Sequence, residues 1–142
     1  MAEEPRDRAL RFWEEVFNTH EIGSLGDWVA DDAVNHNVRE GTPPGPEGAR
    51  MVFERLWTAF PDMRFEVEDV IADGSKVACI GHMTGTHSGE FEGMKPTNNG
   101  FRARHVHILT VGDDGKWTEH LAVRDDVEML RQLGVMPGPP GR

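Results

Sequence analysis

Apolar side chains recur at helical spacing along the first part of the chain, and beyond Pro61 the period shortens to two. Residues 6–18 place Ala9, Leu10, Phe12, Trp13, Val16 and Phe17 on one stripe, with Arg6, Asp7, Arg11, Glu14 and Glu15 on the other side. That pattern predicts an amphipathic helix ending near Asn18. Ser24 is a candidate cap for a short second helix with Leu25, Trp28 and Val29 facing inward. Residues 31–37 read as a brief strand or turn, and the Gly- and Pro-rich 40–48 as a loop. A third helix is predicted over Glu47–Ala59, its inward positions including Met51, Val52, Leu56 and Phe60. Met63, Phe65 and Val67 then alternate with Arg64, Glu66 and Glu68, the signature of a half-buried strand.

Asp73-Gly74 marks a hairpin turn into a strand over Lys76–Thr86. A loop over Ser88–Gly100 follows. Two further strands, Phe101–Val111 and Lys116–Asp125, flank the turn Gly112-Asp113-Asp114-Gly115. A last amphipathic segment (Val127, Met129, Leu130, Leu133) stops at Gly134, and the tail from Pro137 reads as disordered. Three N-terminal helices and about four to six strands, read as antiparallel, predict one α+β domain over 1–142 with its ordered core at 6–134. A curved sheet wrapped around helices can enclose a pocket.

The two late strands carry the chemistry. Alternation puts His105 and His107 on one face, and His120, Ala122 and Arg124 on one face of the next strand. If those faces coincide, three imidazoles and a guanidinium converge. An unperturbed imidazole titrates at about pH 6.5, so it exchanges protons in neutral solution. The His-x-His spacing also admits a metal reading. Arg124 either pairs with Asp125, Asp126 or Glu119 at the sheet edge, or points inward to hold an oxyanion.

Composition narrows the classes. A formal charge of −10 argues against nucleic acid and anionic membrane surfaces as partners. The N-terminal residues lack an apolar signal segment, and the single Cys79 forms no internal disulfide. A cytoplasmic protein is expected. No Gly-x-Ser-x-Gly elbow, phosphate loop or dinucleotide fingerprint occurs. A steroid-isomerase site needs a tyrosine donor, and the chain contains none.

Gly85-Thr-His-Ser-Gly-Glu-Phe-Glu-Gly-Met-Lys-Pro-Thr97, then Asp114-Gly-Lys-x-x-Glu119-His120, then Leu130-Arg-Gln-Leu-Gly134 resemble the SnoaL-like polyketide cyclases. Phe17-Asn18-Thr19 and Asp32-Ala-Val-Asn35-His36 extend the likeness over about residues 8–134. The resemblance implies a cone-shaped α+β barrel of the ketosteroid-isomerase-like fold and ring closure of an aromatic polyketide by intramolecular aldol condensation. It implies no metal and no organic cofactor, and a homodimer or homotetramer formed through the outer face of the sheet. By the same likeness His107 and His120 fall on pocket histidines and Asn35 on a pocket asparagine. Catalysis is therefore expected from His107, His120 and Arg124. Substrate contacts are expected from Asn35, His36, His105, Trp13, Phe17, Met51, Phe60 and Asp125. The position of the cyclases' acid/base aspartate is Ala122. That departure leaves two alternatives open, a polyketide hydroxylase and a non-catalytic small-molecule-binding protein.

Overall fold

The computed structural model describes residues 3–136, so the tail expected to be disordered lies outside the described residues. Helix α1 (Pro5–Phe12) opens with Pro at its first turn, where no amide donor is needed. It continues into a π-helical turn, Trp13–Phe17, closed by Asn18 N–H donating to Trp13 O at 2.8 Å. The wider turn keeps Trp13, Val16 and Phe17 all buried. Asn18 then mimics a strand partner: its side chain accepts from Phe65 N (2.7 Å) and donates to Phe65 O (3.1 Å). The second helix is only a 3-10 turn, Leu25–Asp27, and Ser24 makes no side-chain cap.

Strand β1 spans Val29–Asn35, helix α2 Gly45–Ala59, and strands β2 to β5 span Arg64–Asp73, Lys76–Thr86, Gly100–Val111 and Trp117–Arg124. The sheet order is β1-β5-β4-β3-β2. The all-antiparallel expectation fails at one edge, where β1 runs parallel to β5. The antiparallel pairs β2–β3 and β4–β5 are joined by short turns and β3–β4 by the loop 87–99. The connection through α2 leaves β1 free to pair with the far end of the meander. Gly74 opens the β2–β3 turn with φ +60°, a conformation glycine adopts without strain.

A bulge between Val67 and Asp69 bends β2 over the helices. It depends on Gly81, where a Cβ would lie 1.9 Å from Glu66 O. Alternation along β3 and β4 sends Val77, Cys79, Met83, Ala103, His105, His107 and Leu109 inward. Helix α1 packs on β2, β3 and β4, and α2 packs on β1. Helix α3 (Asp126–Leu133) closes the open end against β4 and stops at left-handed Gly134. The core is one aromatic-rich cluster in which Phe12, Trp13, Phe17, Phe65 and Trp117 meet edge to face.

Candidate active site

Between the helices and the concave face lies a cavity of about 510 Å³. That volume suits a multi-ring small molecule. Trp13, Phe17 and Phe60, expected as contacts, line it, together with Phe12, Phe53, Met63, Met83 and Met129. Met51 does not: it is 50% exposed. The inward stripe of α2 runs through Ala49, Val52, Phe53 and Leu56, and Met51 falls between these positions.

The strand register brings the polar groups together. His107 pairs with Ala122, His105 with Arg124, and Leu109 with His120 across β4 and β5. The two inward faces coincide, so His105, His107, His120, Ala122 and Arg124 all reach the cavity wall. The imidazoles form a file, with His105 Nδ1 3.0 Å from His107 Nε2 and His107 Nδ1 2.9 Å from His120 Nε2. His120 Nδ1 in turn lies 2.9 Å from Asn35 Oδ1.

The file has a direction, set from its closed end. Asn37 N–H donates to the same Asn35 Oδ1 at 2.9 Å. A backbone amide only donates, so that atom is the carbonyl oxygen, and His120 must present Nδ1–H to it. In a neutral ring the other nitrogen accepts, so His107 donates from Nδ1 and His105 donates from Nδ1 in turn. His105 Nε2 is left as a lone pair with no protein partner among the described residues.

Burial keeps these rings neutral. It pushes His105 down to about 3, aided by the positive charge of Arg124. It pushes His120 to about 4 in the same way. His107 lies well below the imidazole range through burial and its two histidine neighbours. Trp13 and Phe65 pack on the His107 ring at 4.7 and 4.9 Å, which explains the exclusion of water. Every ring nitrogen of the file except His105 Nε2 is engaged in it, and among the described residues no group of three or more His, Cys, Asp or Glu is placed to hold a metal ion.

Asn37 was missed by sequence reasoning, although it shares the parity of Asn35 one step on. Its side chain accepts from Ala122 N (2.6 Å) and donates to Ala122 O (2.8 Å), extending the ladder between β1 and β5. Parity removes His36: it points outward and meets Glu119 at 2.6 Å. Asp125 caps α3, its Oδ1 accepting from Glu128 N at 3.1 Å, and it does not line the cavity, whereas Asp126 does. Arg124 lines the cavity and at the same time pairs at the sheet edge, its Nη2 standing 3.4 Å from Asp126. Arg39, Arg55 and Glu92 also line it; only Arg55, beside Leu56 on the helical stripe, carried any sequence signal.

A curved sheet closed by helices over an apolar hollow, with a polar file along one wall, defines a small-molecule pocket protein of the cone-shaped α+β class. Comparison with known proteins agrees. The profile of the SnoaL-like polyketide cyclases matches residues 7–133, and the chain belongs to that family. It is 30% identical over 121 residues to nogalonic acid methyl ester cyclase of Streptomyces nogalater, covering 84% of this chain and 90% of the relative. Among solved structures, IdmH of Streptomyces antibioticus, a proposed polyketide cyclase, superposes with a TM-score of 0.80 at 35% identity, covering 94% of this chain and all of the other. AclR of Streptomyces galilaeus, a proposed hydroxylase, does so at 0.78 and 29%, covering 96% of this chain and 85% of the other. No helix among the described residues is long and apolar enough to cross a membrane.

Proposed function

We propose that the protein is a cofactor-independent enzyme acting on an aromatic, anthracycline-type polyketide, with His105 Nε2 as the group that exchanges protons with substrate. The observation carrying this reading is the directed file Asn35–His120–His107–His105, which ends in an unpartnered lone pair beside Arg124. His107 and His120 polarise that terminus and share the charge it gains. In ring closure, His105 takes a proton from a carbon flanked by two carbonyls. The enolate carbon then bonds to a carbonyl carbon of the same molecule, and the new alkoxide recovers the proton. Arg124 holds the developing oxyanion with fixed positive charge. A neutral imidazole with a lowered pKa is a weak base, so it suits an already acidic carbon acid. Its conjugate acid is correspondingly strong and returns the proton readily.

A second reading is favoured by one observation, that Ala122 stands opposite His107 where the cyclases hold their aspartate. The same base would then deprotonate a hydroxyanthraquinone whose electron-rich ring carbon bonds to dioxygen; the O–O bond then breaks, one oxygen stays on the ring, and a two-electron thiol reductant supplied from solution carries the other away as water. Nogalonic acid methyl ester and its free acid, offered with and without oxygen in the presence of a thiol reductant and followed by mass spectrometry, separate the readings. An isomeric ring-closed product without oxygen supports cyclisation, and a gain of one oxygen atom supports hydroxylation. Tight binding without turnover supports a binding protein, and a fully active His105→Ala refutes the assigned base.

We also propose a homo-oligomer formed through the convex face. There Ile80, Val106 and Val123 make one ladder row, and Ala78, Ile108 and Leu121 the next. Val123 is 67% exposed and Leu121 41%, an apolar surface suited to pairing with its own copy. Light scattering should give a dimer or tetramer that Val123→Glu converts to a monomer; a monomeric parent protein refutes it.

A further inference from the structure

The solvent-exposed lining residues mark the mouth of the cavity, and their charge runs against that of the molecule. Arg39 comes from the loop after β1, Arg55 from α2 and Arg124 from the end of β5, facing Glu92 and Asp126. Three cations stand against two anions there, in a chain whose formal charge is −10. Glu92 is held out on a tight turn: Phe91 and Met94 exchange backbone hydrogen bonds (3.1 and 2.7 Å), and Glu92 and Gly93 both have positive φ (51° and 79°). Its carboxylate meets Arg39 and stands 3.5 Å from Arg55 Nε.

Arg55 is the under-used member. Its Nε is shielded from solvent and makes no hydrogen bond, Glu92 standing at ion-pair distance only, and no hydrogen bond engages the rest of its half-exposed guanidinium among the described residues. A shielded donor held only by a loose ion pair has room for a closer acceptor. A planar guanidinium beside two others fits an oxyanion group, with two parallel N–H donors for two oxygens.

We propose that Arg55, with Arg39 and Arg124, forms a carboxylate-binding mouth, and that the molecule accepted is a flat aromatic bearing an ionised carboxylate. The inference rests on the aromatic-substrate reading above and names the polar end of that substrate. Glu92 holds the place of the ligand's carboxylate and is displaced by it.

The test compares anthraquinone-2-carboxylate with its methyl ester, titrated at pH 7.5 against the full chain and read by quenching of tryptophan fluorescence, since Trp13 and Trp117 line the cavity. Charge-assisted hydrogen bonds should make the acid bind at least about tenfold tighter than the ester. Arg55→Met should bring the acid's affinity down to that of the ester, and continued quenching by the ester reports a folded cavity. Arg55→Lys should retain part of it, and Glu92→Gln should tighten the acid alone. Equal affinity of the two ligands for the unmodified protein, or an Arg55→Met variant that weakens both alike, overturns the site while leaving the aromatic cavity intact. Failure of both ligands to quench overturns the cavity reading and the mouth with it.

Discussion

Acidification from pH 7.0 to 5.5 is the perturbation that most directly interrogates the buried imidazole file. In the unfolded chain each histidine titrates near 6.5. In the folded chain His105 and His120 stay neutral down to about 3 and 4, and burial holds His107 well below the imidazole range. Across this window the unfolded state therefore binds protons that the native state does not. Stability is fully present above pH 6.5 and falls as pH drops toward the folded values. Each ring contributes RT ln(1 + 10^(6.5−pH)), a change of about 1 kcal/mol over the window, so the three together remove roughly 3 to 4 kcal/mol. That is a large part of the total stability of a domain this size. The window spares ordinary carboxylates, which titrate lower.

Urea unfolding followed by tryptophan fluorescence at both pH values measures the difference. His105→Gln should reduce the pH effect by about one third, because one titrating group is gone. A loss below about 1 kcal/mol in the parent protein would mean that the rings charge freely in the native state. The directional file, and the base assigned to it, would then be wrong.

Further expectations follow from the same geometry. Asn35→Asp keeps the acceptor for His120 but adds negative charge. It should raise the file's pKa values and move the acid limb of the pH–rate profile upward, whereas Asn35→Ala should cost about 1–3 kcal/mol by stranding two donors. Ala122→Asp places a carboxylate opposite His107. Oxygen-free ring closure, read by product mass, should increase at a stability cost of about 1–3 kcal/mol. Gly81→Ala should destabilise by at least about 2 kcal/mol in the same urea assay, since the Cβ would meet the Glu66 carbonyl backbone at 1.9 Å. His36→Gln, altering an exposed outward pair, should leave turnover unchanged.

Local periodicity was sufficient for most of the elements. The amphipathic stripe of residues 6–18, the Pro61 boundary, the alternation of Met63–Val67 and the turn at Gly112–Gly115 each record which side chains must leave water. The parity of His105 and His107 with His120 and Arg124 follows from the pleat alone. The cap at Asp125 and the stop at Gly134 are equally local, since they are hydrogen-bond and dihedral requirements of one helix end.

What needed the tertiary structure is whatever depends on pairing across the chain. The parallel contact of β1 with β5 has no local signature, and only that contact brings Asn35 and Asn37 against His120 and Ala122. The direction of the histidine file is likewise decided by a backbone amide from that strand's end, 83 residues from His120 in the sequence. The lowered imidazole values come from Trp13 and Phe65, contributed by two other elements. Alternation reveals which way a side chain points; what it meets there is decided by register, since hydrogen bonding and desolvation act through space.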